Sequence, residues 1–395
     1  MTSIKSPFSA TVAITRAQNY ELNEMRNGIA GALDLIGGLK SIVKRGDKVF
    51  IKINHLPPPS PPERGIVTHP IFTEAVITLL KDLGAEITVG DDIELDDGGF
   101  GPSGYTEMCK RNGVRLVSLR EDGFTARKIN GKILKEVYFA RTALEADVFI
   151  NLPKLKTHSL CTYTGAVKNL YGCIPVGLRR QYHGEYLPIE EFCQMCADIY
   201  SAAPPNLNIL DGIMAMEGEG PGNGKVRKMG IILAARDGVA LDAVANKIIG
   251  LEPANVLTTR YAGECGLGIS DLSKIEVKGE TIESVSVKDF KLPATVAKFV
   301  TGRTPRGLAK FAITQITPRP YVDKKTCQAC RECVKVCPAG AATMNDKNAE
   351  INHAKCISCM CCHEVCRYDA IVPRRPWLGR ILFAPATAVR KLMRK

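Results

Sequence analysis

The sequence predicts an α/β protein: a mostly parallel sheet with flanking helices, followed by a small cysteine-rich α+β domain. Three observations carry this. Short apolar runs alternate with helical periodicity across residues 1–290. Cysteines at fixed spacing crowd residues 321–373. Two acid-free basic segments, 291–320 and 374–395, bracket that cysteine-rich stretch as a linker and an amphipathic tail.

In chain order the strand candidates are Val12–Thr15, Lys48–Ile53, Glu86–Val89, Arg115–Leu119, Val148–Leu152, Leu207–Leu210 and Met229–Ala234. Each is rich in β-branched or apolar residues and bounded by polar or turn residues. Helical periodicity fills Pro70–Leu83, Ile189–Ala203 and Ala240–Leu251, and Gly84 with Ala85 ends the first of these. Strands alternating with helices imply a parallel sheet, whose ligands bind at the carboxyl ends of the strands. Polar loops follow five strands: Asn54–His55 with a proline-rich run, Gly90–Asp92, PKLKTH at 153–158, Asp211 with EGEGPGNGK, and Arg236–Asp237. Together they predict a site at one sheet edge.

The chain has 395 residues, of which 45% are hydrophobic and 24% charged, so a sizeable core is expected. The formal charge is +12, and the two basic segments carry all of the excess. A near-neutral bulk argues against a nucleic-acid-binding core. The acid-free segments predict contact with an anionic membrane surface, with Trp377 or Phe383 as anchor, docking on an acidic electron-transfer protein, or packing on the rest of the chain. No uncharged apolar run reaches the roughly 18 residues of a membrane span, and the N-terminal MTSIKSPFSA predicts no secretion signal. The expected location is cytoplasmic, with peripheral membrane contact open.

The cysteine pattern is the most specific feature. Cys327, Cys330, Cys333 and Cys337 form C-x2-C-x2-C-x3-C, and Cys356, Cys359, Cys362 and Cys366 repeat it 29 residues on. With no secretion signal, such spacing favours metal ligation over disulfides, and two-residue gaps let one loop aim three thiolates at one cube face. The pattern resembles the bacterial-type ferredoxin that holds two 4Fe-4S clusters. The resemblance implies that the fourth cysteine of each run serves the other cluster. Cys366 would then join Cys327, Cys330 and Cys333, and Cys337 would join Cys356, Cys359 and Cys362. Arg367 replaces the proline that follows the first run, and Cys361 is an additional thiol.

In the larger region, Lys154, Lys156, His158, Lys168 and Asn169 fall within one short stretch after a strand and could hold a carboxylate or phosphate. Asp211, Glu217 and Glu219 could bind a hard divalent cation or shuttle protons, the glycines between them allowing close approach. The alternative there is a solvated hairpin. Gly99, Gly101 and Gly104 spell G-x-G-x-x-G and leave a flavin or nicotinamide dinucleotide open, although they begin well past the preceding strand. Cys193 and Cys196 read as buried core thiols rather than a redox pair. His55 and His69 flank the proline-rich loop.

The segments RGIVTHP, LPKLKTH, TGAVKNLYGCIP and DGIMAMEGEGP resemble the family called domain of unknown function 362, over about residues 10–270. The resemblance implies an α/β domain that is often fused to a bacterial-type ferredoxin, and supplies no substrate. The expected function is that of an iron-sulfur oxidoreductase passing electrons to an anionic substrate or cofactor at the sheet edge. The alternatives are a non-catalytic electron carrier or assembly protein that docks a redox partner, and a lyase or transferase with structural clusters.

Overall fold

The structure is a computed structural model, described here for residues 10–93, 98–186, 188–293 and 318–374. Most of the linker at 291–320 and all of the tail beyond Arg374, with Trp377 and Phe383, lie outside the described residues.

The strands of the large domain are β1 (Ala10–Arg16), β2 (Lys48–Ile53), β3 (Glu86–Asp91), β4 (Arg115–Ser118), β5 (Phe124–Lys128), β6 (Glu136–Ala140), β7 (Val148–Leu152), β8 (Lys154–His158), β9 (Thr162–Thr164), β10 (Leu207–Glu217), β11 (Lys225–Ala235) and β12 (Ile275–Gly279). The main sheet runs β12-β1-β11-β10-β7-β2-β3-β4, with β8 and β9 attached to β10, while β5 and β6 form a separate pair. From β10 to β4 all neighbours are parallel, as the alternating pattern predicts. β11 is the exception, antiparallel to both β1 and β10. Arg236 and Asp237 therefore leave the sheet at the edge opposite to the other four polar loops. Asp237 serves there as a helix cap, accepting from Val239 N at 2.8 Å and Ala240 N at 3.0 Å.

Side chains along the parallel strands alternate between two cores, as the two-residue strand period requires. Val49, Ile51 and Ile53 face α1 (Leu22–Leu35) and α2 (Pro70–Asp82), whereas Phe50 and Phe149 face the opposite cluster. The helices α3 (Tyr105–Asn112), α4 (Leu119–Asp122), α5 (Arg141–Glu145), α6 (Ala166–Asn169), α7 (Val176–Glu185) and α8 (Ile189–Ala202) follow. Phe192, Met195 and Ile199 of α8 fill the second core. The helices α9 (Gly238–Ile248), α10 (Leu257–Glu264) and α11 (Ile282–Val285) complete the domain, and α9 packs Leu241, Val244 and Ile248 on Ile14 and Leu233.

The segment PKLKTH corrects the loop expectation. Pro153 interrupts the chain only briefly, and β8 continues the path of β7 along β10. All five residues of β8 are buried. The small domain pairs β13 (Arg319–Val322) with β16 (Ile371–Arg374) and β14 (Ala342–Met344) with β15 (Ala349–Ile351). It also holds α12 (Glu332–Val336) and α13 (Cys361–Glu364).

Candidate functional site: a buried polar cluster under the cysteine-rich domain

The two cysteine runs fold as near copies. Positive φ recurs at Ala329, Arg331 and Gly340 and, displaced by the same 29 residues, at Ser358, Met360 and Asp369. These left-handed positions wind each loop tightly and turn backbone N–H groups inward. Four N–H groups reach cysteine sulfur: Ala341 to Cys337 at 3.2 Å, Ala349 to Cys327 at 3.5 Å, Ser358 to Cys356 at 3.4 Å and Ala370 to Cys366 at 3.2 Å. One cavity is lined by Cys327, Cys330, Cys333 and Cys366. Another is lined by Cys337, Cys356, Cys359 and Cys362. Four thiols, apolar walls and N–H donors to sulfur suit an iron-sulfur cluster in each cavity.

Cys359, which lines the second cavity, feels the charge of Glu364. The helix α13 carries Glu364, which reaches the sheet edge with an oxygen 3.6 Å from His158 Nε2. Lys156 and Lys168 act on the same carboxyl group. Three residues singled out in the sequence, Lys156, His158 and Lys168, thus converge with a fourth from the cysteine-rich domain. Burial lowers Lys156 to about 7, helped by the charge of Lys168 and opposed by that of Glu364. Burial raises Glu364 to about 7, against the pull of Lys168 and Lys156. Both groups can exchange a proton at neutral pH. Burial pushes His158 well below its ordinary value. Its Nδ1 accepts from Leu160 N at 3.1 Å and Cys161 N at 3.3 Å, so the ring proton sits on Nε2, facing Glu364. Lys156 Nζ donates to Ile66 O at 2.8 Å, and Lys168 Nζ lies over the rings of Tyr171 and Phe192.

Five buried atoms in this part of the fold lack a hydrogen-bond partner among the described residues: Ser159 Oγ, Thr162 Oγ1, Thr164 Oγ1, His183 Nδ1 and Glu364 Oε1. A buried polar atom left unpaired costs about 1 to 3 kcal/mol.

The glycine-rich loop joins the domains instead of gathering a cation. Ser159 N donates to Gly220 O at 2.8 Å, and Asn223 Nδ2 donates to His363 O at 2.7 Å. His363 Nε2 lies 3.1 Å from Glu219 O. A Cβ on Gly220 would stand 2.2 Å from Thr157 O, and one on Gly222 would stand 2.8 Å from Glu364 O. The glycines are there for close backbone approach. Arg64 adds a contact to Asp369 at 3.4 Å.

The remaining predicted site residues are placed elsewhere, and the carboxylates do not converge. Lys154 and Asp211 pair with each other at 2.7 Å, both fully buried. Asp211 also accepts from Tyr20 Oη at 2.8 Å, His69 N at 3.0 Å and Ile213 N at 3.3 Å, leaving no room for a cation. Asn169 donates to Asn151 Oδ1 at 2.7 Å and accepts from Asn54 Nδ2 at 2.9 Å, so its amide is committed to a buried chain of asparagines. Glu217 pairs with Arg227 at 3.1 Å and Lys291 at 3.8 Å. Among the described residues no group of His, Cys, Asp or Glu is arranged for a single metal ion. Burial lowers His55 and His69 to about 4. His55 Nε2 meets Ser103 Oγ at 2.9 Å, and His69 caps α2. Gly104 leads into α3, and a separate cavity lies beside Gly98, Gly99, Glu121 and Asp122. Sequence reasoning missed His183 and Glu364, because only the tertiary fold brings them to Lys168.

Fold and cysteine cavities together define an iron-sulfur, electron-transfer protein built on an α/β domain. Residues 319–367 match the 4Fe-4S dicluster domain. Residues 49–247, half of the chain, match the Domain of unknown function (DUF362), and the chain belongs to that family. The Thylakoid-associated protein sll1697 of Synechocystis sp. is 33% identical over 260 residues, covering 65% of this chain and 80% of that protein. Pyruvate synthase subunit PorD of Methanothermobacter marburgensis is 37% identical over 59 residues, 15% of this chain and 69% of that subunit. Among solved structures, the lactate racemase apoprotein from Thermoanaerobacterium thermosaccharolyticum aligns with a TM-score of 0.39 and 12% identity, over 60% of this chain and 56% of that one. Among the described residues no helix is long and apolar enough to cross a membrane.

Proposed function

We propose that the chain is an oxidoreductase that delivers electrons to an anionic small molecule bound between its two domains. Two 4Fe-4S clusters would be held, one by Cys327, Cys330, Cys333 and Cys366, the other by Cys337, Cys356, Cys359 and Cys362. When bound, such clusters supply single electrons at low potential. The residues of the large domain supply the rest. Lys168 and protonated Lys156 attract the anion, neutral His158 offers its Nε2 proton, and Lys156 and Glu364 exchange protons near neutral pH. The carrying observation is the cluster of unpaired buried polar atoms between two lysines and α13. A low-potential donor or acceptor protein completes the circuit, a role the likeness of the cysteine-rich domain to PorD supports.

The test is anaerobic. Reduced protein, freed of excess reductant, is mixed with fractionated anionic metabolites, and reoxidation is followed by visible absorbance. Fast reoxidation by one fraction, lost in Lys156→Met and Lys168→Met, is expected. Reoxidation that survives both substitutions refutes the site. A second reading, an electron relay that docks a partner protein, gains if no small molecule reoxidises the protein and a partner does. The thylakoid association of the Synechocystis relative supports peripheral membrane contact through the basic segments at 291–320 and 374–395. Vesicles containing anionic lipid should then retain the protein at low salt and release it at high salt.

A further inference from the structure

The two halves of the cysteine-rich domain are copies, yet they meet different surroundings. The displacement of 29 residues relates their backbone hydrogen bonds as well as their cysteines. Cys327 N donates to Asp323 O at 3.0 Å, and Cys356 N to Asn352 O at 2.9 Å. Lys335 N donates to Arg331 O at 3.1 Å, and Glu364 N to Met360 O at 3.0 Å. Arg331 and Met360 share a φ of 66°. Arg331 is therefore the counterpart of Met360, Val334 of His363 and Lys335 of Glu364. The second loop turns this face to the large domain: His363 Nε2 lies 3.1 Å from Glu219 O, and Glu364 lies 3.6 Å from His158. Met360 and His363 are buried there. The same face of the first loop is at the surface. Arg331 is exposed, and the side chains of Lys335 and Lys324 are 65% and 67% exposed. Cys330 is exposed as well, whereas its counterpart Cys359 is half-buried.

Charge indicates what this face fits. Residues 324–335 carry Lys324, Lys325, Arg331 and Lys335 against one acid, Glu332, which pairs with Lys335 at 2.8 Å. The counterpart stretch 353–364 balances Lys355 against Glu364. Asp323 and Glu350 flank the basic face: Asp323 accepts from Lys325 N at 3.0 Å, and Glu350 lies 3.9 Å from Lys324. We propose that this face of the first cysteine loop docks a small, acidic, one-electron carrier protein, on the side of the domain that the large domain leaves open. One electron passes from the reduced carrier to the chain beside Cys330. The carrier is oxidised, the chain is reduced, and no bond forms or breaks. Opposite charge speeds such encounters and fixes their orientation, and electron-transfer contacts are small, so a modest basic face suffices. The docking rests on the electron-transfer reading of the chain and not on the anionic ligand at the junction.

The test uses the full-length protein with its clusters and an acidic plant-type ferredoxin as the probe. Isothermal titration calorimetry at low and high salt measures Kd, which should rise with salt. Arg331→Glu combined with Lys335→Glu should raise Kd roughly tenfold at low salt. Lys110→Glu combined with Lys128→Glu makes the same change of charge on exposed residues of the large domain and should leave Kd within about twofold. No binding at low salt, binding that salt does not weaken, or equal losses from the two pairs would overturn the proposal. So would a dimer of this chain that the first pair dissolves. If that pair fails to retain iron, the wild-type protein decides. Acetylation of its surface lysines, read by mass spectrometry, should slow at Lys324, Lys325 and Lys335 when ferredoxin is present and continue at Lys110 and Lys128. Unchanged acetylation at the first three would also overturn the docking. Loss of the anion site at the junction would leave every one of these readings in place.

Discussion

The pair formed by Lys154 and Asp211 decides whether Lys154 belongs to the anion site or to the scaffold. Both are fully buried and 2.7 Å apart, and Asp211 also satisfies Tyr20 Oη and two backbone N–H groups. Removing one member of a buried pair leaves an uncompensated charge and costs about 3 to 5 kcal/mol. Asp211→Ala strands the ammonium and also orphans the His69 N–H, so it belongs at the upper end. For a domain of this size that corresponds to a fall in melting temperature of about 6 to 20 °C. Lys154→Met leaves Asp211 with its three other donors and should cost less. The double variant should cost less than the sum of the singles, with a coupling of roughly 2 kcal/mol. Urea unfolding followed by circular dichroism, clusters intact, measures all three. A loss below about 1 kcal/mol for Asp211→Ala, or strict additivity, would refute the reasoning. Folded Lys154→Met should keep the reoxidation rate that Lys168→Met loses.

Cys337→Ser should remove the cluster of the second run, and Cys366→Ser that of the first, each roughly halving bound iron by the exchange of fourth ligands. Loss of the cluster in the mutated run itself would overturn the crossed arrangement. Gly222→Val forces side-chain carbon against Glu364 O, which stands only 2.8 Å from where a Cβ would begin. It should loosen the domains, seen as faster limited proteolysis between them, and unchanged cleavage would count against the docking. Lys156 titrates near 7 in the fold against an ordinary 10.5. From about pH 7 to 10 the unfolded chain holds the extra proton, so this lysine makes stability rise with pH across that window, by up to a few kcal/mol. Anion affinity should fall as pH rises through about 7, where the folded lysine loses its charge. Lys156→Met should flatten both trends, measured by urea unfolding and equilibrium dialysis at stepped pH. An unchanged pH profile would remove Lys156 from the site.

Much of the frame was legible in the sequence, and the failures share one cause. β2 and β7 occupy the stretches their apolar runs predict, and the doubled cysteine spacing leads directly to the two cavities. β8 was hidden because lysines at alternate positions read as a solvated loop. Its charges are buried only because Asp211 and Ile66 O, far away in sequence, satisfy them. For the same reason Asn169 reads as available in the sequence, although the asparagine chain claims it in the fold. Glu364 was masked by the cysteines around it: in sequence it is a spacer, in the fold it is the cysteine-rich domain's contribution to the polar cluster. Cys193 and Cys196 are buried, as their helical face implied.

The most direct test of the account concerns which cluster lies against the buried lysines. Reduction adds negative charge to a cluster, so a nearby ammonium raises its potential and removing that ammonium lowers it. In a redox titration monitored by electron paramagnetic resonance, Lys168→Met should shift one transition to more negative potential and leave the other in place. Cys337→Ser, which eliminates the second cluster, should abolish the shifted transition. Two unmoved transitions, or equal movement of both, would contradict a junction in which Lys168 faces the cluster-bearing helix α13.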